Sequence, residues 1–211
     1  ISGAGLEDFM HDLLHDRTVI DSSSGIELTE CSEHHDHDHD HEGHSHDVDS
    51  HIWLSPENAK IMAENICAGL TAQYPEHQNL LADNLDRLLA DLDALQSYAD
   101  DALSDLSCRE IITFHDGFGY LAASFDLHIL EAVEEESGAE ASAAELKHMI
   151  GIVREHGLSA IFTEINGSVS AADIIAAETG AKVYALDMAM AGNSWFDAMY
   201  HNINTLKEAL E

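Results

Sequence analysis

The sequence predicts an α/β protein with two lobes that contain parallel sheets and are joined by a long linker helix. Three observations favour this class. Short apolar strands alternate with helices after residue 108, a sustained helical stripe precedes them, and further α/β segments precede the stripe. Strands that alternate with helices form parallel sheets with right-handed crossovers. A chain of 211 residues, 45% of them hydrophobic, can bury such cores.

Residues 1–55 are predicted to be the remainder of an N-terminal lobe. Apolar side chains recur at helical spacing in residues 6–14, and Thr18-Val19-Ile20 has the composition of a short buried strand. A polar loop follows over residues 22–50. Loops of this length often have a function in compact domains.

Residues 56–107 are predicted to form the linker helices. The first helix starts at Ser55-Pro56, where serine caps and proline fits the first turn. In the second, apolar residues from Leu81 to Leu106 recur in steps of four and three. Such a stripe suits a coiled-coil dimer face or a strut between lobes. The α/β segments on both sides of it favour the strut.

Residues 108–211 are predicted to form a C-terminal α/β lobe. Its four strands are expected at residues 110–114, 127–133, 160–163 and 182–186. Helices are expected from about residue 116 and at residues 142–156, 170–179 and 195–210. Ligands of open parallel sheets lie outside the carboxyl ends of the strands. We therefore expect a binding site at that edge.

The charge of the chain restricts its partners. With 41 acidic and 8 basic residues, the net charge is −33. Nucleic acid is excluded as a partner, because phosphate binding needs a basic face. The same composition excludes a polybasic contact with a membrane surface. A strongly negative field attracts cations.

A tract of alternating histidine and acidic residues indicates metal chemistry. Seven of the thirteen residues at positions 34–46 are histidine, and most of the others are acidic. Imidazole and carboxylate are ligands for zinc and neighbouring divalent metals. The tract alone is equally consistent with transport, buffering, sensing or catalysis. We predict accessory metal ligands at His34, His35, His37, His39, His41, His44 and His46.

Three residues outside the tract are candidate ligands of a second kind of metal site. His115 and Asp187 each directly follow a predicted strand, and His51 precedes the first linker helix. Two imidazoles and one carboxylate can hold a divalent metal with a coordination position open. Glu164 also follows a strand. It could support a ligating imidazole, or it could be a structural carboxylate.

Several segments, in chain order, resemble motifs of the metal-specific solute-binding proteins of bacterial ABC importers. DSHIWLSP resembles their DPHxWLxP segment, and TFHDGFGYL resembles their THxAFGYL segment. The resembling segments are GAGLE at 3–7, DSHIWLSP at 49–56, TFHDGFGYL at 113–121, SGAEASAAEL at 137–146, IFTE at 161–164, KVYALD at 182–187 and YHNINTL at 200–206.

The resemblance implies two α/β lobes joined by one long helix, with the metal in the cleft. It implies that His51, His115 and Asp187 bind the ion, and it places a His-rich loop ahead of His51 in the zinc-specific members. Manganese-specific relatives carry Glu at the position of His115. The expected ligand is Zn²⁺. The expected setting is extracytoplasmic, either in the periplasm or lipid-anchored at the outer face of the cell membrane. The expected partner is a membrane ABC permease, with the protein a monomer.

The sequence departs from the pattern of this family at the start of the chain. Family members have a further N-terminal section that supplies the first histidine ligand, and no such section precedes Ile1 in this sequence. We therefore expect an incomplete N-terminal lobe with three of four protein ligands. A histidine of the 34–46 tract, or water, could fill the fourth position.

Other functions fit parts of the pattern. A manganese or iron solute-binding protein would share the fold, and a zinc buffer or adhesin could use the tract alone. A site with an open position could also activate water in a zinc hydrolase. The sequence contains no HExxH motif and no evident general base. We therefore predict that the protein is not an enzyme.

Overall fold

The computed structural model describes residues 1–29, 48–132, 141–190, 192 and 194–211. These residues form two compact units, Ile1–Gln96 and Ser97–Glu211. The second unit contains a four-stranded parallel sheet with helices, which confirms the predicted α/β class. Within the described ranges, no helix combines the length and the apolar composition that a membrane span requires.

The first unit is largely helical in its described part. Helix α1 (His11–Leu14) follows a single 3-10 turn, and α2 (Pro56–Gln73) starts where it was predicted. At the N-cap of α2, Ser55 Oγ accepts a hydrogen bond from Asn58 N at 3.3 Å. Helix α3 (Gln78–Ala102) follows another 3-10 turn and begins in this unit.

The boundary between the compact units falls inside α3, after Gln96. The helix ends four residues before Leu106, the last position of the predicted stripe. Its buried stripe residues lie near the boundary, at Leu92, Leu95 and Ala99. A linker over residues 56–107 between lobes at 1–55 and 108–211 stays a prediction.

The strand predicted at Thr18-Val19-Ile20 is absent, because the described part of the first unit offers no neighbouring strand to pair with it. Strand-like composition needs such a partner to become a ladder. Ile20 instead packs against α2, where a Cβ added to Gly69 would lie 2.6 Å from Ile20 Cγ1. The Ile20 carbonyl accepts a hydrogen bond from the N-terminal ammonium group.

The second unit follows the predicted alternation of strands and helices. Its elements are β1 (Glu110–Thr113), α4 (Gly119–Ser124), β2 (His128–Ala132), α5 (Ala143–His156), β3 (Ala160–Glu164), α6 (Ser170–Thr179), β4 (Lys182–Leu186) and α7 (Trp195–Leu210). The strand order is β2-β1-β3-β4, and all pairs are parallel. A core of α5 and α6 residues, including Met149, Val153 and Ile175, packs with Ile112 and Ile161 of the sheet.

The direction in which successive strands are added to the sheet changes between β1 and β3. The chain passes from β1 outward to β2 and then returns to the other side of β1. The carboxyl edge of the sheet at such a reversal is the usual ligand site of open α/β sheets. The topology therefore points to the residues that follow β1, β3 and β4.

Helix α5 begins with a reciprocal cap. Ser142 Oγ accepts a hydrogen bond from Glu145 N at 3.2 Å, and the Glu145 carboxylate accepts one from Ser142 N at 2.6 Å. The Ser142 backbone N–H holds the pKa of Glu145 below its ordinary value. A carboxyl with a depressed folded-state pKa stabilises the fold above its unfolded pKa. That contribution is lost as the pH falls through the folded pKa.

Candidate metal centre

The carboxyl edge of the sheet carries the two candidate ligands of the second unit. His115 lies two residues beyond β1, and Asp187 directly follows β4. Both strands flank β3 in the same parallel sheet, so these residues leave the sheet at the same edge. Asp187 directly follows its strand as predicted, whereas Phe114 separates His115 from the end of β1. The role of both residues as metal ligands stays a prediction.

Asp187 is held by hydrogen bonds to its backbone and to its carboxylate. Its side chain is buried, with 3% of the residue exposed. Oδ1 accepts a hydrogen bond from Ala189 N at 2.8 Å. Ala189 has a φ of 58°, in the left-handed region that non-glycine residues rarely adopt. The turn after β4 is therefore shaped so that its N–H reaches the Asp187 carboxylate.

His115 lies beside the loop that follows β4. A Cβ added to Gly117 would lie 2.7 Å from His115 Nε2 and 2.8 Å from Met188 Cε. The imidazole and the residue next to Asp187 therefore both border the space above Gly117. The His115 ring also meets Phe118 edge-on, with the ring centroids 6.5 Å apart. Any side chain at residue 117 would displace the imidazole or Met188.

In the first unit, His51 is oriented by a buried carboxylate. Asp49 is 5% exposed, and its Oδ1 accepts hydrogen bonds from His51 N at 2.9 Å and His51 Nδ1 at 2.8 Å. A neutral imidazole that donates from Nδ1 carries its lone pair on Nε2, the atom that can bind a metal. Carboxylates commonly orient metal-binding histidines in this way.

Replacing Asp49 with asparagine is expected to weaken zinc binding by about 10- to 100-fold, the usual effect of losing such a partner. The amide could donate to the imidazole as readily as accept from it, so the Nδ1–H tautomer would lose its support. Competition with a chromophoric chelator measures the affinity. The matched control is Asp86→Asn, at an exposed position on α3. An Asp49→Asn affinity equal to that of the control would contradict the orienting role.

Glu164 ends β3 and pairs with Leu186, the residue before Asp187. It therefore lies at the same edge of the sheet as the candidate ligands of the second unit. Gly167 leaves room for its side chain, because an added Cβ there would lie 2.6 Å from Glu164 Cγ. A supporting role for Glu164 toward an imidazole stays a prediction.

Some predicted metal residues lie outside the described residues. The seven accessory histidines at positions 34–46 fall in residues 30–47, which are not described. Among the described residues, no three or more His, Cys, Asp or Glu side chains form a group that could hold a metal. His115 and Asp187 lie in the second unit, and His51 and Asp49 lie in the first.

Four residues that shape these surroundings were not predicted from the sequence: Asp49, Gly117, Met188 and Asn202. Asp49 lies two residues before His51, within reach of a local side-chain contact. Asn202 is a fully buried polar residue on the otherwise apolar buried face of α7, and a polar residue at an apolar position of the helical period was the available signal. No comparable sequence pattern points to Gly117 and Met188, because their proximity depends on how two loops meet.

The donors suit zinc better than the harder divalent ions. Imidazole nitrogen and carboxylate oxygen are common zinc ligands, whereas calcium and magnesium prefer oxygen alone. In the second unit, His115 has an imidazole and Asp187 a carboxylate at the edge of the sheet. In the first unit, His51 has an imidazole beside the Asp49 carboxylate. The donor chemistry therefore fits a zinc ion.

Comparison with known proteins identifies the family of the chain. The family model "ZnuA: Zinc-uptake complex component A periplasmic" matches residues 1–209. The high-affinity zinc uptake system protein ZnuA of Bacillus subtilis is 33% identical over 90% of the chain and 63% of its own length. A putative metal-binding protein of Treponema pallidum is 30% identical over 99% of the chain and 69% of its own length.

A solved structure gives the same result for the fold. The crystal structure of a ZnuA superposes with a TM-score of 0.83 at 31% identity, covering 99% of this chain and 78% of that one. By contrast, the chain spans less than two thirds of the length of its Bacillus subtilis relative.

Proposed function

Because the chain belongs to the ZnuA family of periplasmic zinc-uptake components, we propose that it binds zinc outside the cytoplasm and delivers the ion to the membrane permease of an ABC importer. The observation that carries the proposal is the pair of donors at the carboxyl edge of the sheet. His115 borders the loop after β4, and Asp187 is fixed at its start. The family is a transport family and not an enzyme family.

We assign zinc ligands in each unit: His115 and Asp187 in the second, and His51 in the first. His51 binds through Nε2, since Asp49 occupies its Nδ1. Asp187 binds through Oδ2, since Oδ1 accepts from Ala189 N. His115 provides the second imidazole. His51 and Asp187 each have a side chain oriented by a neighbouring group.

Zinc is favoured over manganese by the two imidazoles. Manganese prefers oxygen ligands, whereas imidazole suits zinc. The manganese-specific relatives that the sequence resembles carry Glu at the position of His115, and this chain does not. The histidine tract at positions 34–46 adds acidic and imidazole groups, and we assign it the role of collecting zinc for the main site.

We propose that the protein acts as a monomer. A genetic test examines whether it delivers zinc to a permease. A bacterium that lacks its own zinc-uptake component A is given the chain exported to its periplasm. Growth in zinc-depleted medium is expected to recover with the parent chain. It is expected to fail with a chain carrying His51→Ala, His115→Ala and Asp187→Asn. If the parent chain binds zinc tightly in solution but restores no growth, delivery to a permease is contradicted.

A further inference from the structure

Helix α7 carries a fully buried amide, Asn202, at 0% exposure. Its neighbours on the buried face include Met199, Ile203 and Leu206, all apolar and fully buried. A buried amide among apolar residues is unfavourable unless its donor and acceptor are satisfied. The hydrogen bonds of Asn202 therefore explain its position.

Both ends of the Asn202 amide bind the backbone of one residue, Asp187. Asn202 Nδ2 donates to Asp187 O at 2.8 Å, and Asp187 N donates to Asn202 Oδ1 at 2.7 Å. The two residues are 15 positions apart, so the contact comes from the tertiary fold. The pair of bonds resembles the exchange between facing residues in a β-ladder.

Asp187 needs such a partner because the sheet ends just before it. The β3–β4 register runs to Glu164 opposite Leu186, and the last ladder-like bond is from Ile165 N to Leu186 O. One residue further, the Asp187 N–H and C=O are paired with the Asn202 amide. The Asn202 amide makes the two hydrogen bonds that a neighbouring strand would otherwise make, at the point where Asp187 leaves the sheet.

The two hydrogen bonds from Asn202 to the Asp187 backbone also help to fix the Asp187 carboxylate. With the Asp187 N–H and C=O held by α7, the remaining freedom of Asp187 is in its side-chain torsions. The bond from Ala189 N to Oδ1 restricts these torsions. Ligand groups on well-supported elements hold their geometry more closely than those on unsupported loops.

We propose that Asn202 is a positioning residue for metal binding: it clamps the backbone of Asp187 so that the carboxylate is presented to the ion. This inference rests on the proposed function, in which Asp187 is a zinc ligand. Asn202 acts through Asp187 and does not touch the ion. Its effect is on the geometry and affinity of the metal site as well as on the stability of α7.

The test compares two replacements of Asn202 in the full chain. Asn202→Leu keeps the approximate shape and removes both hydrogen bonds. Asn202→Asp keeps the acceptor for Asp187 N but replaces the donor with an oxygen that faces the Asp187 carbonyl. The stability control is Leu206→Ala, one turn later on the buried face of α7, where no hydrogen bond to Asp187 is made. Zinc affinity, the visible spectrum of the cobalt(II) form and the thermal midpoint are measured for each.

The expected result is a loss of zinc affinity of about 10- to 100-fold for Asn202→Leu. It is accompanied by a changed cobalt(II) spectrum, because the coordination geometry shifts. Leu206→Ala is expected to lower the thermal midpoint while keeping the parent affinity and spectrum. If Asn202→Leu does not fold, Asn202→Asp is expected to show the same spectral change in a folded chain.

Two results would overturn the inference. One is a folded Asn202 variant with the parent affinity and cobalt(II) spectrum. The other is a Leu206→Ala chain that loses affinity and spectrum to the same extent, which would reduce Asn202 to a structural role. Asp187→Asn separates the two proposals. If it leaves zinc affinity unchanged, the ligand assignment fails. If it lowers affinity but Asn202→Leu does not, only the positioning role fails.

Discussion

Replacing His115 with alanine is expected to weaken zinc binding by more than about 100-fold. Loss of a group that merely orients a ligand already costs about 10- to 100-fold, and His115 is assigned a direct bond to the ion. Alanine removes the nitrogen donor and leaves Gly117 and Met188 in place. The measurement is the zinc dissociation constant by competition with a chromophoric chelator.

Two comparisons give the His115 result its meaning. His128→Ala removes an exposed imidazole from the start of β2, in the same sheet, and is expected to leave the affinity unchanged. Deletion of residues 34–46 is expected to remove weak additional zinc ions and to affect the tight ion far less. Equal losses of tight binding from the deletion and from His115→Ala would mean that the site at His115 is not the main zinc site.

Replacing Asp187 with asparagine is expected to have an effect of similar size, again more than about 100-fold. The substitution is isosteric, and the amide oxygen can still accept from Ala189 N, so the turn after β4 is kept. The negative charge that offsets the zinc ion is lost. The same competition measurement applies. The control is Asp173→Asn on the exposed face of α6. If Asp187→Asn binds zinc as tightly as this control, Asp187 is not a ligand.

The C-terminal part of the fold was predictable because its signals are local. Helices α6 and α7 and strand β4 have the predicted bounds. Ser194 caps α7, and Gly180 ends α6 in the left-handed conformation that favours glycine. Short apolar segments mark the strands, and capping residues mark the helix ends. The alternation of strands and helices then predicts a parallel sheet.

Features that depend on distant contacts were not predictable. The composition of Thr18-Val19-Ile20 is that of a strand, but Ile20 packs against α2 instead. The pairing of Asn202 with Asp187 links residues 15 positions apart and depends on where α7 meets the end of β4. The candidate ligands could be found from strand ends and family motifs, whereas the groups that orient them required the structure.

Calorimetric titration of the chain lacking residues 34–46 tests whether the protein has a zinc-preferring site separate from its histidine tract. Zinc and manganese are titrated separately under the same conditions. We expect one tightly bound zinc ion per chain and clearly weaker binding of manganese. Absence of a tight zinc site, or manganese binding as tight as that of zinc, would contradict it.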